Sequence, residues 1–188
     1  LGTTFHFVRQ AIKMRVDMPF AFFIGASLFL FDERRSCTSS RSRGLLAAGS
    51  ALCMGLAALT KGPAGILLPG AVLGLLALAR RRWKEAGLLC LMGAGAAAIF
   101  AGWCVAYASA AGQGEVLYFL YEQNVAAFLS PGSHVRPFYY YLLNIWPDML
   151  PWSLFLVPAL WSALSRRRRT DVFLTAWFGL MFVFFSAA

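Results

Sequence analysis

Long apolar stretches alternate with short polar ones along the chain, at lengths that suit membrane-crossing helices. A helix of about 20 mainly apolar residues crosses a bilayer, and shorter ones do so when flanking side chains reach the surface. We therefore predict an all-α protein, a polytopic bundle of transmembrane helices forming one domain. Six stretches of the sequence are predicted as spans: 14–31, 44–59, 63–79, 86–108, 138–164 and 172–188.

The sizeable polar connection, residues 109–136, lies between the fourth and fifth spans. Within it, Glu115–Leu129 carries apolar residues at an imperfect helical spacing. We predict an amphipathic helix that lies along the membrane surface. The fifth span contains Pro147, Pro151 and Pro158, so kinks or unwound turns are expected within it.

Composition excludes an ordinary soluble domain, because the chain is 60% hydrophobic, has a mean hydropathy of +0.65 and is only 13% charged. Its net charge of +9 is concentrated, since 12 of 17 Lys and Arg residues form three clusters. An even number of predicted spans separates successive clusters, so all lie on one side, and the positive-inside rule makes that side cytoplasmic. Anionic lipid headgroups then explain the clusters, and no nucleic-acid partner is expected. The clusters are Arg34, Arg35, Arg41 and Arg43; Arg80, Arg81, Arg82 and Lys84; and Arg166–Arg169.

Lys61 lies between the second and third spans, in the sequence LTKGPAGILLP. Gly62 can adopt the positive φ of a tight reversal, and Pro63 suits the first turn of the next helix. The lysine is therefore predicted beside the free N–H groups that open that helix, where negative charge is favoured. One interpretation is an anion site at the outer membrane face, for phosphate. The alternative is an ordinary helical hairpin with a lysine that reaches the membrane surface.

The other candidate residues for chemistry are also predicted on the outer face. Asp17 opens the first span and is a candidate acid or metal ligand; alternatively, it is a capping carboxylate paired with Arg15 or Lys13. His134 and Arg136 could bind a phosphate or a sugar hydroxyl, or could lie in a solvated loop without a role.

Tyr139, Tyr140 and Tyr141 combine apolar ring faces with hydroxyl groups. They suit a sugar or a lipid headgroup, and equally an aromatic belt at the membrane interface. Glu122 and Asn124 face a cleft or mark the polar side of the surface helix. The sequence contains no zinc-ligand spacing, nucleotide-binding loop or nucleophile elbow. We therefore predict no metal site and name no definite cofactor. Whether the protein uses a divalent ion is left open.

Three stretches resemble the lipid-carrier-dependent membrane glycosyltransferases, a group that includes protein O-mannosyltransferases and lipid A aminoarabinose transferases. Their order and spacing also match that family, and the resemblance covers nearly the whole chain, though only part of a family member. The stretches are RQAIKMRVDMPFAFF, LTKGPAGILLP and YEQNVAAFLSPGSHVRPFYYYLLNIWPDMLPW.

The resemblance implies a GT-C type fold in the bacterial inner membrane, with a catalytic cavity at the periplasmic face. It implies transfer of a sugar from a polyprenyl-phosphate carrier to a lipid or protein acceptor. By the same matching, Asp17 is an acidic residue at the cavity mouth and a tentative catalytic residue. Lys61 and the segment His134–Tyr141, with Arg136, Tyr139 and Tyr140, would lie near the carrier phosphate and the sugar. We add Glu122 and Asn124 as candidate contacts, on the interpretation that they face a cleft.

The chain begins without Met and stops within an apolar run. We therefore expect a fragment of a longer membrane protein, with the family's principal catalytic acid upstream of Leu1, and no activity from the fragment alone. Two alternatives remain at this point. A transporter or flippase would predict charges near the bilayer midplane and repeated halves, neither of which is apparent. A non-catalytic membrane scaffold would make the outer charges incidental.

Overall fold

A computed structural model describes residues 16–122 and 139–187 of the chain. The chain divides into two compact units, whose described parts are these two ranges. Helices are the regular structure in both ranges, which confirms the predicted all-α class. The helices of the first unit are α1 (Asp17–Arg34), α2 (Ser40–Lys61), α3 (Ala64–Ala79), α4 (Trp83–Ala111) and α5 (Gln113–Leu120).

Helix α2 is the centre of the first unit and packs against α1, α3 and α4. Leu28 and Phe31 of α1, Met54 of α2, and Val72 and Leu73 of α3 are fully buried or nearly so. Small residues allow these helices to approach closely, as is usual where helices pack in membranes. By contrast, α4 exposes most of its apolar surface, the arrangement expected of a helix that faces lipid.

A polar contact joins α1 and α2 midway along their length. The hydroxyl groups of Ser27 and Ser50 are 3.1 Å apart, and Ser50 Oγ donates to the carbonyl oxygen of Ser27 at 2.8 Å. Both side chains are fully buried. Because an unpaired hydroxyl is costly in an apolar interior, this contact fixes the two helices in one register.

The reversal between α2 and α3 is the tight hairpin that the sequence predicts. Gly62 has φ +74° and its N–H donates to the carbonyl oxygen of Ala58 at 2.7 Å, while Pro63 caps α3. Directly after the turn, Gly65 lies against the backbone of α2. A Cβ atom at this position would overlap the main chain of Ala57 and Ala58, so only glycine permits this approach.

Helix α4 extends beyond its predicted end at residue 108. It continues to Ala111 because Ser109, Ala110 and Ala111 are compatible with a helix, and Gly112, with φ +100°, then ends it. The amphipathic helix predicted in the following segment is described as far as α5, Gln113–Leu120, and the rest of that prediction lies outside the described residues.

The described part of the second unit contains α6 (Tyr140–Asp148), a short 3-10 turn (Trp152–Phe155), α7 (Leu156–Arg166) and α8 (Arg169–Ala187). Within this unit, α8 packs against α6 and α7. The stretch predicted as one long proline-containing span is interrupted between α6 and the 3-10 turn, at residues 149–151. Proline removes a backbone donor and clashes with the preceding turn, which explains the break.

Within the described ranges, two helices, α2 and α4, are long and apolar enough to cross a membrane, and α3 is apolar but shorter. Helices α2 and α4 include the predicted spans 44–59 and 86–108, and α3 covers the predicted span 63–79 except for its first residue. Helix α1, with 18 residues, corresponds to the predicted span 14–31.

Candidate functional site

An ion pair between Asp17 and Lys61 lies at one end of the first unit. Asp17 opens α1 and Lys61 ends α2, and the antiparallel packing of the two helices brings the Lys61 Nζ atom to Asp17 Oδ1. The residues are far apart in sequence, so this contact depends on the tertiary fold. The predicted alternative, in which Asp17 is paired with Arg15 or Lys13, involves residues outside the described ranges and stays a prediction.

The pair is open to its surroundings, since 42% of the Lys61 side chain and 38% of the Asp17 side chain are exposed. Phe20, one turn further along α1, is buried, and its ring centroid lies 5.5 Å from Lys61 Nζ. The ring face attracts the ammonium and limits its positions. An ammonium group has three N–H donors, so an exposed lysine that is held in this way can bind a further anion.

The backbone at the start of α3 adds less positive charge than the sequence predicts. The N–H of Gly65 donates to the Gly62 carbonyl and the N–H of Ile66 to the Pro63 carbonyl, each at 3.0 Å. The first turn thus satisfies these donors internally, in the manner of a 3-10 turn. The prediction of free N–H groups beside Lys61 is therefore wrong for these two residues.

A second polar cluster lies at the opposite end of the same helices. Arg35 Nη2 donates to Glu85 Oε2 at 2.6 Å, and Arg82 Nη1 donates to Glu85 Oε1 at 3.1 Å. Only 4% of the Arg35 side chain is exposed. Glu85 stands in the first turn of α4, before the apolar stretch 86–108. Burial alone would raise the pKa of Glu85, but the hydrogen bonds and charges of Arg35 and Arg82 outweigh it and lower the pKa.

The structure describes only some of the remaining predicted site residues. Glu122 is exposed, close after the end of α5. Asn124, His134 and Arg136 lie outside the described residues. For these positions the sequence-based roles stay predictions.

The predicted tyrosines belong to the second unit. Tyr139 precedes α6 and Tyr140 begins it; the Tyr140 ring packs edge-on against that of Tyr141, with ring centroids 5.5 Å apart. The Tyr140 carbonyl accepts a hydrogen bond from the Asn144 amide at 2.7 Å. Tyr139 and Tyr141 are exposed, as both a sugar platform and an interface belt require. That these rings and Lys61 share one outer pocket stays a prediction.

Metal ligands are not grouped in the described ranges, where no three His, Cys, Asp or Glu side chains are close enough to hold an ion.

The chain is similar in sequence to larger proteins, several of which are named enzymes. It is 31% identical over 186 residues to an uncharacterized protein of Aquifex aeolicus, covering 99% of this chain and 36% of that protein. It is 34% identical over 184 residues to the undecaprenyl phosphate-alpha-4-amino-4-deoxy-L-arabinose arabinosyl transferase of Pseudomonas aeruginosa, covering 94% of this chain and 33% of the transferase. A transferase of the same name, numbered 1, from Proteus mirabilis is 31% identical over 175 residues. The match covers 92% of this chain and 32% of that transferase. No protein-family model matches the chain.

The fold is similar to a solved structure as well. The crystal structure of ArnT from Cupriavidus metallidurans in the apo state superposes with a TM-score of 0.68 at 26% sequence identity, covering 92% of this chain and 31% of that one. The chain thus spans about a third of the length of the relatives that it matches. The resemblance drawn from its motifs is confirmed: the chain is homologous to about a third of a lipid-carrier-dependent membrane glycosyltransferase with the GT-C fold.

Proposed function

We propose that this chain forms part of an integral membrane glycosyltransferase that moves a sugar from a polyprenyl-phosphate carrier to an acceptor. The similarity to undecaprenyl-phosphate arabinosyl transferases over more than nine-tenths of the chain carries this proposal. By that similarity, the donor is an undecaprenyl-phosphate-linked amino sugar. The acceptor is a lipid or a protein, and the whole reaction requires the remainder of a protein about three times as long.

The distribution of charge supports a bacterial inner-membrane location with the active face outward. Arg35, Arg82 and Glu85 lie at the end of the helices that carries the first two basic clusters, which the positive-inside rule assigns to the cytoplasm. Asp17 and Lys61 lie at the other end. At 1.5 Å per residue, the 18 residues of α1 extend about 27 Å, close to the thickness of a bilayer core. We therefore place the Asp17–Lys61 pair at the periplasmic surface.

In this role Lys61 binds the phosphate of the carrier lipid. The reaction breaks the bond between the anomeric carbon and the phosphate oxygen, which leaves with the electron pair, and forms a bond to an acceptor oxygen that loses its proton to a base. A cation beside the departing phosphate stabilises the charge that develops on it. Asp17 positions the Lys61 ammonium, while its tentative role as a catalytic acid or base stays a prediction, as do sugar or phosphate contacts from Glu122, Asn124, His134, Arg136, Tyr139 and Tyr140.

The test is an assay of the full-length protein in proteoliposomes with undecaprenyl-phosphate aminoarabinose. Labelled sugar is counted separately in lipid and protein fractions, which also identifies the acceptor class. We expect Lys61→Ala to lower kcat/KM about 10- to 100-fold, the loss of one charge-assisted hydrogen bond of about 1.5–3 kcal/mol. Arg41→Ala, which removes a charge from the opposite end of the same helix, should leave kcat/KM within twofold.

Two results would contradict the proposal. Absence of transfer from any polyprenyl-phosphate sugar by the intact protein would exclude the enzyme class. Equal, small effects of Lys61→Ala and Arg41→Ala would favour a scaffold, in which the outer lysine is incidental.

A further inference from the structure

A cavity of about 600 Å³ opens at the basic end of the first unit, where α1 ends, α2 begins and α3 turns into α4. Five basic side chains and one carboxylate line it: Arg34, Arg43, Arg81, Arg82, Lys84 and Glu85. This end is about the length of α1 away from Lys61, so the cavity is separate from the proposed sugar-transfer site.

The carboxylate in the cavity wall does not balance these charges. Glu85 already accepts hydrogen bonds from Arg35 and Arg82, one on each of its oxygen atoms. Arg34 and Arg43 take part in no ion pair within the described part of the chain. Five basic side chains against one shared carboxylate thus leave the cavity lining with a positive excess, which attracts an anion.

Arg34 shows that the cavity is built into the fold. Arg34 as a whole residue is only 7% exposed, and its guanidinium carbon lies 4.9 Å from the centroid of the Phe31 ring. Its Nε atom is buried and has no hydrogen-bond partner among the described residues. The charge of this guanidinium is therefore held in a partly desolvated setting, where its attraction for an anion in the cavity that Arg34 lines is stronger than in water.

The cavity also has an apolar side, which bears on the kind of anion. Trp83 and Leu88 line it, and the Trp83 side chain is 69% exposed. Leu91, one turn beyond Leu88 on α4, is also exposed, so an apolar surface continues from the cavity along the helix. A tryptophan between a basic cluster and an apolar helix face is typical of the membrane interface.

We propose that this cavity binds the phosphate headgroup of an anionic phospholipid, with Arg34 and Arg43 as its principal contacts and an acyl chain along α4. A free phosphate ion shares the headgroup chemistry but leaves Trp83, Leu88 and Leu91 uncovered, so the observations favour the lipid. Because the positive-inside rule puts the basic clusters on the cytoplasmic side, the site lies at the cytoplasmic end of the bundle. It does not depend on the sugar-transfer proposal.

Native mass spectrometry of the detergent-purified full-length protein tests the site, because no charged bilayer is present to attract the protein generally. Phosphatidylglycerol, phosphatidylcholine and inorganic phosphate are titrated separately, and bound lipid is counted. We expect retention of phosphatidylglycerol, little retention of phosphatidylcholine, and no displacement of the lipid by millimolar phosphate.

A matched pair of variants locates the binding. Arg41 and Arg43 are both exposed at the start of α2, but only Arg43 lines the cavity. Arg43→Gln should weaken phosphatidylglycerol binding about fivefold, the effect of about 1 kcal/mol per basic residue, and Arg41→Gln by less than twofold. Adding Arg34→Gln to Arg43→Gln should weaken it further.

Three outcomes would overturn the proposal: equal weakening by Arg41→Gln and Arg43→Gln, equal retention of phosphatidylcholine, or binding of inorganic phosphate that excludes the lipid. The Arg43→Gln result stands even if Arg34→Gln fails to fold, because Arg43 is exposed. This experiment does not measure sugar transfer. Failure of the lipid-binding proposal can therefore be distinguished from failure of the proposed function.

Discussion

The two ends of the first unit hold charge in opposite ways. At one end, Asp17 and Lys61 form a pair that is about two-fifths exposed. At the other, Glu85 joins Arg35 and Arg82 in a network in which the Arg35 side chain is almost fully buried. Exposed pairs contribute little to stability, whereas breaking a buried one leaves an unpaired charge. The contrast predicts that the second network contributes more to stability than the first pair, which we propose as the phosphate contact.

The largest expected effect concerns the hairpin that positions Lys61. Gly65→Ala would place a Cβ atom 2.8 Å from the Ala57 carbonyl oxygen and overlap the α2 backbone, which cannot move without opening the hairpin. We expect a loss of about 3 kcal/mol, measured as a lower Tm of the full-length protein in detergent. Gly74→Ala on the same helix, where nothing lies within 4 Å of the added atom, should leave Tm unchanged or slightly raised. Equal Tm values for the two variants would show that the helices do not approach at Gly65.

The second largest loss of stability is expected from the buried network of Glu85, Arg35 and Arg82. Glu85→Gln removes the charge that Arg35 and Arg82 share, and should destabilise the protein by about 2 kcal/mol, the usual strength of hydrogen bonds to charged groups. Glu115→Gln, in the exposed first turn of α5, is the matched control and should have almost no effect. If both variants had the same Tm, the network would contribute nothing to stability.

Acid should remove this contribution in the wild type. The pKa of Glu85 is lowered in the fold, so its stabilisation is complete above the ordinary pKa of a glutamate, about 4.3, and is lost as pH falls through the lower folded value. The difference in Tm between wild type and Glu85→Gln should therefore narrow below about pH 4. A constant difference down to pH 2.5 would contradict this.

The smallest expected effect on stability is at the outer pair. Asp17→Asn should change the free energy of unfolding by only about 0.5 kcal/mol, since both side chains are substantially exposed. Its effect on sugar transfer should be much larger, at least tenfold, if Asp17 positions Lys61. Comparison of Asp17→Asn, Lys61→Ala and the double variant gives the coupling between them. A loss of stability as large as that of Glu85→Gln would remove the contrast between the two ends.

The local structure of this molecule could be predicted from sequence, because its rules act over a few residues. The reversal at Gly62 and Pro63, the apolar helices on either side of it and the break after Pro147 all follow from backbone geometry and hydrophobic runs. The sequence predicts an end for α4 that is three residues too early, since Ser109–Ala111 suits either a helix or a loop and Gly112 decides the outcome.

The pairings between distant residues could not be predicted in this way. Asp17 and Lys61 were both candidates, yet no periodicity indicates that they meet, because the contact depends on how α1 and α2 pack. The same is true of Arg35 with Glu85, which are 50 residues apart. The sequence predicts contacts of the basic residues with lipid headgroups, but the cavity among Arg34, Arg43 and Arg82 exists only because four helix ends converge in the fold.

The Ser27–Ser50 contact has a consequence for the membrane around the protein. A polar link halfway along two antiparallel helices prevents one from sliding past the other, so the spacing between their charged tips is constant. A bilayer thicker or thinner than that spacing must deform, or the helices must tilt together, at a fraction of a kcal/mol for each ångström of mismatch. The serine pair thus keeps the spacing between the charged ends of these two helices constant, and the surrounding lipid adjusts to that spacing.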